Sequence, residues 1–166
     1  MKYENNVRFA TFAAAALVIA LAFAPASASA TTATANFAVS ATVTNTCTIS
    51  AAALSFGAYT GAAAVTGTSN ITVNCTNLAI YTVGLSSGTG TYTTRTMANG
   101  TSTLGYNLYT TSADTTVWGD GTGSTATVAG TGTGSNQTLT IYGKIPTGEN
   151  SLSGTYSDTI TATITY

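Results

Sequence analysis

The chain has 166 residues, of which 44% are hydrophobic and only 5% charged, with a net charge of −1 and no histidine. Typical soluble proteins carry about 25% charged residues; here threonine, serine, glycine and asparagine supply the polarity. The charge balance leaves no basic patch to neutralise phosphates, which excludes nucleic acid as a partner, and without histidine a Ser-His-Asp triad cannot be built.

Residues 1–30 read as a secretion signal. Lys2 and Arg8 make a positive start, Phe9 to Ala24 is apolar apart from Thr11, and Pro25 to Ala30 supplies small residues for cleavage after Ala28 or Ala30. The apolar run is shorter than the ~20 residues that a spanning helix needs. The remainder, Thr31–Tyr166, is one domain by length. Its charges are Arg95 and Lys144 against Asp114, Asp120, Glu149 and Asp158, and Pro146 is its single proline. Strand edges in such a chain lack the charges and prolines that ordinarily block edge-to-edge pairing.

After the leader comes TTATANFAVSATVTNTC, residues 31–47. Its odd positions run Ala33, Ala35, Phe37, Val39, Ala41 and Val43, and its even positions are polar apart from Ala38. Period two over this length predicts an amphipathic strand, placed where a free end would be expected. Cys47 and Cys75 follow. An even cysteine count in an exported chain predicts a disulfide, and a zinc site fails for want of further ligands.

The rest reads as strand and turn. Short strands are expected at Cys47–Ser50, Leu54–Tyr59, Ser69–Cys75, Ala79–Gly88, Tyr92–Met97, Thr103–Thr110, Thr116–Trp118, Thr125–Val128 and Gln137–Ile145. A longer one is expected at Tyr156–Tyr166, alternating Tyr156, Ile160, Ala162, Ile164 and Tyr166 against threonines. Strands at 8–12-residue spacing between Gly/Asn/Ser turns predict an all-β sandwich. In a seven-strand immunoglobulin-type sandwich the final strand pairs beside its predecessor. If Tyr156–Tyr166 is the sixth strand, the place beside it is unfilled, and the spare strand is Ala33–Val43.

The cysteine pair, YTVGLSSG (81–88), RTMANGTSTLGYNLYT (95–110), VWGDGTG (117–123), IYGKIP (141–146) and GTYSDTITATITY (154–166), in this order, resemble the spore coat protein U domain, a family that includes subunits of archaic chaperone–usher pili. The resemblance implies an incomplete immunoglobulin-like β-sandwich completed by donor-strand complementation: a periplasmic chaperone lends a strand during export, and at an outer-membrane usher the N-terminal segment of the next subunit replaces it. Carried onto this chain, residues 31–44 are the donor strand and 45–166 the receiving domain. The donor side chains are Phe37, Val39, Ala41 and Val43. The acceptor groove includes Ile160, Ala162, Ile164 and Tyr166. The resemblance implies a non-enzymatic subunit of a secreted surface fibre, a head-to-tail polymer of itself or related subunits serving adhesion or biofilm formation. It would reach the surface of a Gram-negative cell through the periplasm.

Other readings of the same residues are weaker. GDGTGS (119–124) offers one carboxylate, Asp120, where a calcium loop needs several oxygen ligands, so a hairpin turn is expected. GTGTGS (130–135) lacks the lysine of a phosphate loop and leads into a strand. Asp114 and Asp120 as a glycosidase pair give way to solvated turn residues, so no catalytic, metal or cofactor residues are assigned. A carbohydrate-binding module using Trp118 and nearby tyrosines as stacking platforms, and a coat protein whose strand closes its own groove, are the alternatives to a fibre subunit.

Overall fold

A computed structural model describes residues 29–166; the signal assigned to 1–30 therefore falls, but for its last two residues, outside the described part. The chain divides into two units, Met1–Ser40 and Ala41–Tyr166. In the first, residues 29–40 are exposed and carry no regular secondary structure. The second holds eight strands and no helix: β1 (Cys47–Ala51), β2 (Val65–Cys75), β3 (Ile80–Leu85), β4 (Arg95–Asn99), β5 (Ser102–Tyr109), β6 (Val128–Thr131), β7 (Gln137–Ile145) and β8 (Ala162–Thr165).

The strands form two sheets, one ordered β1-β2-β7-β5-β4 and the other β6-β3-β8, with every pair antiparallel. Alternation in the sequence sets which side chains meet between them. Ile71, Val73 and Cys75 of β2 and Tyr81, Val83 and Leu85 of β3 are buried while the residues between them are more exposed; in β5 the whole run Leu104–Leu108 is buried, Gly105 and Asn107 included. Period-two burial on two facing sheets is the pattern of a β-sandwich core.

Strand order identifies the kind of sandwich. An immunoglobulin constant-type domain has strands A, B, E and D in one sheet and C, F and G in the other. Here β1-β2-β7-β5 takes the A-B-E-D places, and β3-β8 takes C and F. Among the described residues nothing takes the place of G. The fold is an immunoglobulin-like all-β sandwich with its G position open.

Several expected strands moved. Gln137–Ile145 is a strand over the expected residues, but Thr125–Val128 is displaced to Val128–Thr131, where it forms the expected sheet edge. Thr116–Trp118 makes only isolated bridges, Tyr109 to Val117 and Trp118 to Ala126. Leu54–Tyr59 is not a strand: it crosses the inner face of the large sheet above the paired Gly67 and Gly143. A Cβ on Gly143 would stand 2.9 Å from the Phe56 ring and 3.0 Å from Leu54, so glycine is what lets this segment lie there. Phe56 meets Tyr106 edge to face, ring centroids 5.9 Å apart, a favoured aromatic geometry.

Cys47 and Cys75 face each other in the β1–β2 register and are joined by a disulfide. It ties the first residue of β1, an edge strand, to the last residue of β2, which is held on its other side by β7. Replacing both cysteines with serine is expected to lower stability by about 3–4 kcal/mol for a loop of this length. Urea unfolding under oxidising conditions checks this; an unchanged midpoint would show the bridge to be energetically idle.

Candidate functional site

The open position is a groove between two lips, the segment that follows β1 from Ala51 to Phe56 and the segment from Tyr156 to Ala162 that leads into β8; β1 and β8 themselves touch. β8 pairs with β3 from Thr82↔Thr165 to Leu85↔Ala162, and among the described residues its other edge has no strand partner. Among the described residues, β1 pairs only with β2. The two edges run in opposite directions: β1 is antiparallel to β2, the Thr76–Ala79 arch reverses the chain into β3, and β8 is antiparallel to β3.

Between these lips a cleft reaches down to buried core residues. A cleft of about 500 Å³ has Ile71, Leu85, Leu108 and Ile141 on its floor and Ala51–Leu54, Ile160 and Ala162 on its sides. A second cleft, about 690 Å³, continues from it, sharing Leu54, Phe56, Met97 and Tyr156, and extends to Gly61 and to Glu149–Thr155. An unpaired β edge beside an open cleft with an apolar lining has room for two things at once, backbone partners and apolar side chains.

The acceptor side is held in place by polar contacts. Ser86 N–H donates to Thr161 O (2.9 Å), and Thr161 N–H donates to Ser86 Oγ (2.9 Å). Ser157 and Ala98 exchange backbone bonds of 2.9 and 3.1 Å. Asp158 accepts from Thr89 N–H and Oγ, and from the Tyr106 hydroxyl at 2.7 Å. Burial first, and then that bond to Asp158, pushes the Tyr106 phenol well above its ordinary pKa. The approach to β8 is thus fixed in space although only Ala162–Thr165 forms a continuous ladder.

The sequence-assigned residues fall as follows. Ile160, Ala162 and Ile164 are half-buried on one face, and the first two line the cleft. Tyr166 is 56% exposed. Phe37, Val39 and Val43 are 86%, 84% and 82% exposed, and Ala41 is exposed as well. The strand expected over 33–43 is not formed: among the described residues, none from 29 to 46 lies in a strand.

The six charges of the exported part are each engaged. Lys144 Nζ lies 3.4 Å from Asp114, Glu149 accepts from Gly105 N–H, and Asp120 caps its own turn by accepting from Thr122 N–H and Oγ. Arg95, unremarked in the sequence, is fully buried. Its guanidinium donates twice to Ser86 O (2.8 and 3.1 Å), to Trp118 O (2.7 Å) and to Asn107 Oδ1 (2.7 Å). A signal for it existed. Arg95 shares strand parity with Met97, so an inward Met97 implies an inward Arg95. None of the six charges guards the free edge of β8.

The stacking role considered for Trp118 is ruled out. Its indole is fully buried and donates to Val83 O at 2.9 Å, so it has no face for a sugar.

Comparison with known proteins completes the description. The Spore Coat Protein U domain family matches residues 33–163, a span that begins inside the exposed tail. "Protein U" of Myxococcus xanthus is 34% identical over 109 residues, 60% of this chain and 60% of that protein, so the match spans under two thirds of that relative. Among solved structures, a chain of the CsuC–CsuE chaperone–tip adhesion subunit pre-assembly complex, from archaic chaperone–usher Csu pili of Acinetobacter baumannii, is similar in fold. The TM-score is 0.56 at 23% identity, over 75% of this chain and 41% of that one.

Proposed function

Because the chain belongs to the Spore Coat Protein U domain family, we propose that it is a non-enzymatic structural subunit of a secreted surface fibre of the chaperone–usher kind. Subunits join when the N-terminal segment of one copy, Ala33–Val43, enters the groove of another as its missing strand. The observation that carries this reading is the unpartnered β8 edge over the apolar floor of Ile71, Leu85, Leu108 and Ile141, in a chain whose exposed tail has the pattern to cover it.

Strand addition supplies backbone partners and apolar side chains together. The inserted backbone pairs with β8, and Phe37, Val39, Ala41 and Val43 turn inward while the threonines face out. A one-residue slip would bury Thr and Ser, so the register is well specified. The joint is head-to-tail and does not close on itself, which makes a filament. The signal at 1–30 delivers the chain to the periplasm of a Gram-negative cell. A subunit with an open groove needs a chaperone to cover it there and an outer-membrane usher to exchange that cover for the next tail. Adhesion or biofilm formation is the role such a fibre serves.

The test is size-exclusion chromatography of the mature protein with and without Thr31–Thr44. The full chain is expected to form polymers that survive SDS without boiling, and the truncated chain to remain monomeric. Equal assembly of the two overturns the reading.

A further inference from the structure

The two ends of the sandwich carry different exposed apolar residues. At the end where the tail leaves, the β2–β3 arch presents Leu78, 76% exposed, and β3 opens with Ile80, 73% exposed. Leu78 has φ of +65°, in the left-handed region that leucine rarely occupies. Leu78 N–H donates to Gly132 O at 2.8 Å and Ala79 N–H to Thr76 O at 3.0 Å, and these bonds hold the arch in that shape. A strained backbone that thrusts a large apolar side chain into solvent asks for a function. At the opposite end, Leu152 is 71% exposed. Its loop is fastened to the start of β5: Ser151 Oγ donates to Thr103 O (2.6 Å), and Tyr156 OH donates to Leu152 O (2.8 Å).

The root of the tail is clamped to the arch. Thr76 N–H donates to Thr46 O (2.9 Å), and Thr46 N–H donates to Thr76 Oγ (3.0 Å). Three residue steps separate Val43 from Thr46, at most about 11 Å of chain. Once Val43 is seated in a neighbour, the arch bearing Leu78 must therefore lie against that neighbour.

Which part it meets follows from strand direction. In an immunoglobulin sandwich the G strand is antiparallel to F. A tail antiparallel to β8 places its C-terminal end, Val43, beside the start of β8. That end of the domain also carries the Glu149–Thr155 loop, since the continuous cleft runs from Ile160 to Leu152.

We propose that Leu78 and Ile80 of one copy pack against the Leu152 loop of the copy that receives its tail, a second subunit contact beyond the inserted strand. It rests on the strand-exchange reading given above and adds what that reading lacks, an interface that fixes the angle between successive domains. The two patches sit at opposite ends of one molecule, as a head-to-tail contact requires. Leu78, Ile80 and Leu152 themselves carry no charge, and the loop's one carboxylate, Glu149, is already engaged by Gly105 N–H.

A photoreactive benzophenone side chain placed at position 78 of the full mature chain tests this. Irradiated polymers are expected to give a covalent two-copy adduct, with residues 149–155 of the receiving copy in the cross-linked peptide; the reciprocal placement at 152 should return the arch. Deleting Thr31–Thr44 should remove both adducts. Polymers that form but give no adduct, or an adduct mapping elsewhere, overturn this contact alone. Failure to polymerise at all overturns the strand-exchange reading and this contact with it. Leu78→Gly, which suits the positive φ, should fold at least as well as the parent and yield at least tenfold less of the adduct from position 152.

Discussion

Replacing Phe37 and Val39 together with aspartate is expected to leave the mature protein folded and monomeric. Both side chains are largely exposed in the free chain, so the substitutions touch nothing there, and stability should stay within about 0.5 kcal/mol of the parent. In the groove the same positions would face the apolar floor. Losing the burial of Phe37 and Val39 removes about 1.5–3 kcal/mol each, and enclosing two carboxylates adds several kcal/mol more. A loss above about 6 kcal/mol lowers the association constant by more than four decades. The controls lie on the even positions: Thr34→Asp and Ser40→Asp fall on the outward face and should still polymerise. Mixing sharpens the test. The double variant keeps an intact groove, so it can receive a tail but cannot give one. Added to parent protein, it should shorten the polymers in proportion to its fraction, by light scattering or electron microscopy. Normal polymers from the double variant alone would sink the role assigned to these side chains.

The open groove also explains where sequence reading succeeded and where it failed. Alternation is visible in the side chains even where no strand formed: Ile160 lines the cleft beside Ala162, although the ladder begins only at Ala162. Leu54 and Phe56 likewise point into the core from a segment without strand pairing. A side-chain pattern records which face is buried, whereas a strand needs a hydrogen-bonded partner. Along both lips of the groove, residues 52–60 and 156–161, partners come only as isolated bonds, such as Ala52 to Asn70 and Ser157 to Ala98, so period two overstates strand length there. Gln137–Ile145 lies between β2 and β5, has partners on both sides, and matches its expected bounds. Arg95 was missed for a different reason. Its acceptors, Ser86, Asn107 and Trp118, lie at sequence separations of 9 to 23 residues and converge only when the sandwich closes.

That arginine carries the other large expected effect. Arg95→Met should destabilise the domain by about 3–5 kcal/mol, the range for removing one partner of a buried charged network. The loss arises because the Ser86 and Trp118 carbonyls are left without their donor, each costing about 1–3 kcal/mol, while the Asn107 amide oxygen loses one of two and keeps the Leu108 N–H. Part is recovered because an expensive buried charge also disappears: desolvation already pushes the Arg95 pKa down. With urea slopes of about 1–3 kcal/mol per molar, the midpoint should fall by one to several molar. Arg95→Lys should rescue little, since a point ammonium cannot serve acceptors spread around a planar fork. The consequence reaches the groove through Ser86. Arg95 fixes the Ser86 carbonyl, while Ser86 N–H and Oγ bond Thr161, the residue just before β8. Ser86→Ala cuts the Oγ bond alone and should cost only about 1 kcal/mol, yet it frees the lip that must pair with an incoming tail. The prediction is therefore a separation of effects: Ser86→Ala keeps a near-parental unfolding midpoint but polymerises more slowly, whereas Arg95→Met loses both together. If Ser86→Ala assembles at the parental rate, the lip needs no pinning, and Arg95 serves the stability of the sandwich alone.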